Sequence, residues 1–328
     1  RHGIGASKLM NAVLRRIDRE RNDLSVPLPA DPVEALAVRY SHPRWLVARW
    51  LQRYGEEGTT VLLMKNNAEA PVVIRPFGIV REQLEATLES SGVEVEDAPL
   101  SRDSIQITGG ISLTELGAFR QGLFFVQDPG STLVTQYASI PDNAVVADLC
   151  AAPGGKALEL SRTARIVVAS DRSPQRLARL LDNRARLEAT NVLVAVSDAL
   201  FPAVREMDAV LIDVPCTGTG TFRRHPDARW RLKVSDLSVM SALQAGILRA
   251  AAEVVKPGGL LIYSTCSLEP EENELQVEEF LSRNPEWKLE PPSAGVVPPE
   301  TMDSGFLRIL PQIHGSDGAF AARLRRSQ

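Results

Sequence analysis

The sequence predicts an α/β fold: a mostly parallel sheet with helices on both faces, preceded by a small helical and α+β module. Three observations predict it. From about Phe124 onward, apolar runs of strand length alternate with stretches of helix length. That β-α-β order belongs to sheets covered on both sides. Upstream, residues 33–68 carry helical periodicity, and the stretch to residue 123 mixes one helix with short strands. The three cysteines, finally, fall at or just past strand ends, where ligands of open α/β sheets bind.

Taken in order, Ser7 to Glu20 reads as an amphipathic helix with Leu9, Val13, Leu14 and Ile17 on one face. A single helix cannot bury its own apolar stripe, and the chain opens on Arg1 rather than methionine. The segment is therefore expected to come from a larger domain lying mostly outside this chain, or to pack on the rest. Residues 21–32 hold three prolines and read as a linker. Residues 33–68 read as helical, with Trp45, Leu46, Val47, Trp50, Leu51 and Tyr54 on the apolar face and Gly55 as a stop. Both tryptophans lie within that stripe, so they read as core rather than as base-stacking surfaces. Val72–Arg75, Val93–Val95 and Ser104–Ile107 read as strands and Glu82–Ser91 as a helix ending at Gly92, a candidate substrate-binding module.

In the larger domain the predicted strands are Ala144–Cys150, Ile166–Asp171, Val192–Ser197, Ala209–Val214 and Leu260–Thr265. The predicted helices are Gly155–Arg162, Pro174–Ala189 and Ser235–Val255.

The 328 residues allow two or three domains. With 44% hydrophobic and 24% charged residues, the composition is that of a soluble globular protein. No run of 18 apolar residues marks a membrane span and no signal peptide is visible, so a cytoplasmic location is expected. The three cysteines form no C-x-x-C pair and the four histidines are scattered. That argues against a disulfide framework and a structural metal. A net charge of −4 argues against binding nucleic acid over the whole surface, so local clusters matter more.

The first strand of the larger domain runs into Ala151-Ala152-Pro153-Gly154-Gly155 and then a helix. Such a loop lets a ligand approach the backbone closely. It matches neither G-x-G-x-x-G nor a Walker loop. Asp171, Asp198 and Asp213 each end a predicted strand. An acid at the first of these positions typically accepts hydrogen bonds from ribose hydroxyls, and the second could border an adenine pocket. In register with the glycine-rich loop, the three point to a bound nucleoside. Cys216 in Asp213-Val214-Pro215-Cys216 and Cys266 in Tyr263-Ser264-Thr265-Cys266-Ser267 each sit in a polar turn. Two thiols so placed suggest covalent catalysis by one activated thiol and one base, without saying which is which. Cys150 precedes the small-residue loop and is expected to pack there.

The chain resembles the RNA cytosine-5 methyltransferases of the Nol1/Nop2/Sun group. Asp148–Lys156 matches D-x-C-A-A-P-G-G-K. Asp213–Trp230 matches D-x-P-C-[ST]-G-x-G followed by R-R-x-P and W. Tyr263–Glu274 matches the thiol motif. Asp317–Leu324 resembles the terminal strand, with D-G-A-F in place of D-G-F-F, and Ala157 stands where threonine is frequent. The match is strong over residues 122–328. Lys8–Arg16 resembles the last helix of a NusB-like domain, and Tyr40–Val47 resembles the bacterial RsmB (Fmu/Sun) branch, which modifies a cytosine of small-subunit ribosomal RNA.

The resemblance implies a Rossmann-like class I methyltransferase with a seven-stranded sheet over residues 124–328, an RNA-binding module over 31–123, and a remnant helix and linker over 1–30. It implies S-adenosyl-L-methionine as donor and 16S rRNA, not yet assembled, as partner of a monomeric enzyme. Cys266 would add to carbon 6 of the cytosine, making carbon 5 nucleophilic, and Cys216 would assist release. Asp213 would hold the amidine edge of the base. Cys150, Ala151, Ala152, Pro153, Gly154, Gly155 and Lys156, with Asp171, Arg176, Asp198 and Asp213, would line the cofactor site. Arg223, Arg224, Arg229, Arg231 and Lys233 follow the glycine-rich loop beside Cys216, and an RNA contact is expected there, at Arg223, Arg224 and Arg229. Arg15, Arg16, Arg19 and Arg21, and Arg323, Arg325 and Arg326, read as solvated faces. The alternatives are the same chemistry on transfer RNA, or a non-catalytic ribosome-assembly factor, which would have no need of the two thiols.

Overall fold

A computed structural model describes residues 4–21 and 27–328. The linker expected over 21–32 falls partly on 22–26, outside the described residues. The chain divides into two compact units, residues 1–56 and 57–328.

The first unit holds α1 (Ile4–Glu20), α2 (Pro32–Tyr40) and the start of α3 (Arg44–Asn67). In α1 the apolar stripe stays in solvent: Leu9, Met10, Val13, Leu14 and Ile17 are all exposed. Asp31 caps α2 by accepting from the Glu34 amide at 2.7 Å, ahead of Pro32. Trp50 is buried, as its place in the stripe requires. Gly55 is the stop expected of it: at φ +68° and ψ −177° it leaves the helical region, and α3 is two helices joined across that kink.

In the second unit β1 (Val72–Pro76), α4 (Arg81–Ser90), β2 (Glu94–Asp97), β3 (Ile105–Thr108), α5 (Gly117–Arg120) and β4 (Phe124–Val126) form the small module. Its sheet is antiparallel, in the order β2-β3-β1-β4. Phe124–Val126, expected to open the larger domain, pairs with β1 instead. Ile74, Leu84, Leu88, Ile105, Ile107 and Phe124 close the core of the module.

The larger domain follows as α6 (Pro129–Ala138), β5 (Val145–Asp148), α7 (Gly155–Leu160), β6 (Ile166–Asp171), α8 (Pro174–Arg186), β7 (Val192–Val196) and β8 (Met207–Asp213). Then come α9 (Ala228–Arg231), α10 (Val234–Glu253), β9 (Val255–Thr265), α11 (Glu274–Arg283), β10 (Trp287–Leu289), β11 (Met302–Asp303), β12 (Phe306–Ile309), α12 (Pro311–His314) and β13 (Ala319–Arg326). The strand order is β11-β12-β13-β9-β8-β5-β6-β7, with β10 added to β13. Pairing is parallel from β7 to β9 and antiparallel in the remaining arm. The sheet has nine strands rather than seven, because β10 and β11 add two short pairings at its antiparallel end.

The apolar runs work as strands buried on both faces. Ala209 and Leu211 of β8 join a core with Leu133, Leu158 and Leu180 of α6, α7 and α8. Val210 and Ile212, pointing the other way, join Ile247, Ala251 and Val277 of α10 and α11. Three arginines tie the module to this domain. Arg75 of β1 is buried and donates to Glu159 of α7 at 2.8 Å. Arg162 donates to the Pro76 carbonyl at 3.2 Å. Arg186 of α8 donates to the carbonyls of Phe119 and Phe124 at 2.9 and 2.8 Å and lies 3.9 Å from the Phe119 ring centre.

Candidate active site

Register brings the motifs together. Asp148 pairs with Leu211, and Asp213 with Ser264, so the carboxyl ends of β5, β8 and β9 reach the same rim. Just beyond it the Cys216 and Cys266 sulfurs lie 3.3 Å apart, both as free thiols. Their hydrogen bond, then burial, pushes the Cys216 thiol well above its ordinary value. Asp213 accepts from Lys156 Nζ at 2.7 Å and from Ser264 Oγ at 2.9 Å. Burial works against the Lys156 ammonium, but the carboxylates of Asp213 and Asp148 and the sulfur of Cys266 outweigh it and raise its pKa. Asp148 is buried, and that burial, with Asp213 beside it, lifts its carboxyl to about 7 against the pull of Lys156. Cys150 is pushed up by burial and by the same carboxylates, and packs against the second face of the core.

The turn carrying Cys216 is held by a residue the sequence did not single out. Glu272 is fully buried. It accepts from the Thr217 amide and Gln244 Nε2, both at 2.9 Å, and from the Thr217 and Ser267 hydroxyls. One carboxylate thereby fixes the loops on both sides of the thiol pair. Its signal was the acid run after Cys266, but Glu269, Glu271 and Glu272 are equivalent in a sequence. Gly220 is required by a close approach. Its amide donates to the Cys266 carbonyl at 2.9 Å, and a Cβ there would lie 2.7 Å from that oxygen and 2.8 Å from Gly318 Cα.

A cleft of about 240 Å³ opens beside the thiols. Cys150, Ala152, Asp171, Arg176, Asp198, Asp213, Cys216 and Cys266 line it, with Leu243 and Ile247 of α10 as an aliphatic wall. Asp171 is buried, accepts from the Ser173 amide at 2.9 Å and pairs with Arg176 at 3.2 Å, while Arg176 also donates to the Ala152 carbonyl. Asp198 caps the Leu200 amide at 2.9 Å. Gly154 has φ +115°, and a Cβ would meet Leu180 Cγ at 2.8 Å, so only glycine brings the loop this close to α8. Ala151, Pro153, Gly155 and Lys156 line a second groove, of about 680 Å³, which shares Asp213 and Cys266 with the cleft.

The arginines expected to meet RNA are placed otherwise. Arg223 is buried and bridges Asp128 at 3.1 Å and Asp317. Arg224 bridges the same two acids, 2.8 Å from Asp128, and is the more open of the pair, lining the groove. Arg229 is 1% exposed and donates to Asn67 Oδ1 at 2.6 Å and the Asn66 carbonyl at 2.8 Å. Asp128, which caps α6, and Asp317 of the terminal motif have side chains only 9% and 8% exposed, and these enclosed carboxylates need the cations of Arg223 and Arg224. Arg223, Arg229 and most of Arg224 are thus spent inside the fold, while Arg231 and Lys233 of the same basic run stay exposed.

Known proteins agree with this architecture. A family model described as "16S rRNA methyltransferase RsmB/F" matches residues 137–325, and one for the RsmF/B-like ferredoxin-like domain matches residues 42–114. The chain is 33% identical to the probable ribosomal RNA small subunit methyltransferase B of Synechocystis, over 98% of this chain and 75% of that one. It is 34% identical to ribosomal RNA small subunit methyltransferase B of Vibrio cholerae, over 93% and 72%. A crystal structure of a methyltransferase homologue from Pyrococcus horikoshii superposes with a TM-score of 0.77 at 27% identity, covering 91% of this chain and all of that one. Sheet order, thiol pair and both matched domains lead to one conclusion: the chain belongs to the RsmB/F family of rRNA methyltransferases.

Proposed function

We propose that the protein methylates carbon 5 of a cytosine in 16S rRNA, acting in the cytoplasm as a monomer on RNA not yet assembled into the subunit. The observation that carries this reading is the pair of free thiols 3.3 Å apart, beside the Asp213–Lys156 pair. The methyl donor is S-adenosylmethionine, which supplies an electrophilic methyl group when bound. The residues of the cleft fit it. Asp171 and Asp198 offer acceptors for hydroxyl and amino groups, and Leu243, Ile247 and Pro215 offer an apolar face for a purine.

Carbon 5 of cytosine is a weak nucleophile. Cys266 adds as a thiolate: its sulfur bonds to carbon 6 and the electron pair of the double bond moves to carbon 5. Asp213, held by Lys156 and Ser264, binds the protonated amidine edge and stabilises the adduct. After carbon 5 is alkylated, its proton must leave. Cys216 is suited to take it. Before attack its hydrogen bond to Cys266 is the largest cause keeping it protonated. Once Cys266 is a thioether that cause is gone, and Cys216 ionises more readily. The Cys216 thiolate removes the proton, the double bond re-forms, and the bond from carbon 6 to sulfur breaks, returning Cys266 as a thiolate.

The test uses wild type, Cys216→Ala and Cys266→Ala with labelled methyl donor and unmodified 16S rRNA on a denaturing gel. A slow-migrating labelled band in Cys216→Ala alone is expected, because addition proceeds and elimination stalls. An active wild type with no trapped species would overturn the two-thiol mechanism. Methylation of transfer RNA instead of rRNA would overturn the substrate. Loss of stability in both variants with no other effect would make the thiols packing residues.

A further inference from the structure

The groove of about 680 Å³ that ends at Asp213 and Cys266 contains an unmet donor. Gln127 follows β4 and is only 5% exposed. Its Oε1 accepts from Thr132 Oγ1 at 2.9 Å, which fixes the amide plane, while Nε2 is buried without a hydrogen-bond partner. A buried amide nitrogen left unpaired costs free energy comparable to a lost hydrogen bond. That cost is recovered when a ligand supplies an acceptor. Gln127 lines the groove and not the cofactor cleft, so the acceptor belongs to the substrate side.

The opposite wall says what kind of acceptor. Arg176, Arg179, Asn183 and Arg186 recur along α8 at spacings of three and four and share one face of the helix. Arg176, Asn183 and Arg186 line the groove. Arg179 sits between them on that face, exposed, and among the described residues it has no ion-pair partner. One further edge is apolar: Val126 of β4 is half exposed beside Phe119 and Phe125. A cationic rail facing an apolar edge suits a single strand, with phosphates on one side and bases on the other.

We propose that this groove holds the RNA strand adjoining the target base, with Gln127 Nε2 donating to a backbone oxygen and Arg179 neutralising a phosphate. The proposal rests on the RNA-methylation reading and assigns substrate positioning to residues outside the motifs. It also replaces the buried Arg223 and Arg229 as the source of RNA contact.

The test measures binding of labelled single-stranded RNA from the 16S sequence by anisotropy across a salt series, and binding of S-adenosylhomocysteine by calorimetry. Wild type, Gln127→Glu and Arg179→Ala are compared. Gln127→Glu keeps the acceptor for Thr132 but replaces the amide donor with a negative charge. It should weaken RNA binding at least roughly tenfold and leave S-adenosylhomocysteine binding unchanged. Arg179→Ala should lower the slope of log affinity against log salt by about one. RNA affinities equal to wild type in both variants, or a parallel loss of S-adenosylhomocysteine binding, would overturn the proposal. So would a wild type that does not bind the RNA. A wild type that binds with these dependences but methylates no cytosine would remove the methylation reading and leave the groove assignment standing.

Discussion

Replacing Asp148 with Asn should change how stability depends on pH. Asp148 is 1% exposed at the end of β5. Burial first, and then the charge of Asp213, lift its pKa from 3.8 to about 7, against Lys156. Between those values the folded chain holds a proton that the unfolded chain has released. The stabilising contribution is therefore fully present below about pH 4 and is lost as pH rises through about 7. Over the whole window a shift of this size corresponds to about 4 kcal/mol, of which about 2–3 kcal/mol falls between pH 5 and pH 8. Asp148→Asn keeps the shape and still offers an oxygen to the Cys150 amide, but it does not titrate. Urea unfolding of both proteins at pH 5 and pH 8 isolates the effect, because Lys156 and Cys150, the groups that Asp148 itself raises, titrate above that range. The stability of the variant relative to wild type should be about 2–3 kcal/mol more favourable at pH 8 than at pH 5. A relative stability that is the same at both pH values would refute the reasoning.

Arg223→Ala leaves the buried Asp128 and Asp317 with Arg224 alone. Thermal or urea unfolding should show a loss of about 3 kcal/mol, with RNA affinity of the folded fraction unchanged. Glu272→Ala strips acceptors from Thr217, Gln244 and Ser267. The same unfolding experiment should register roughly 3–5 kcal/mol of destabilisation, and Glu272→Gln less, since it keeps one acceptor oxygen. Gly220→Ala places a Cβ against the Cys266 carbonyl and Gly318. On the proposed mechanism, displacing Cys266 should cut methyl transfer about a hundredfold, while calorimetry finds S-adenosylhomocysteine binding retained; near-wild-type turnover would show that the loop yields without moving Cys266.

The sequence by itself determined the α/β alternation, because a strand buried on both faces must be continuously apolar. Ile166–Asp171 and Met207–Asp213 accordingly appear where those runs lie. It also determined the glycine loop, the acidic strand ends and the two thiols, since each is a local pattern whose chemistry needs those residue types. Other features came only from tertiary structure. Phe124–Val126 carries a strand pattern, but its partner β1 lies some fifty residues upstream in another sheet, and no local signal names a partner. The run from Arg223 to Arg229 has the composition of a nucleic-acid contact. Arg223 and Arg224 turn inward because Asp128 and Asp317, far away in sequence, become enclosed carboxylates that need cations, and Arg229 turns inward to Asn67 and the Asn66 carbonyl. Glu272 and Gln127 acquire their places in the same way: burial and an unmet hydrogen bond depend on what folds over a residue, and that is a property of contacts between distant segments.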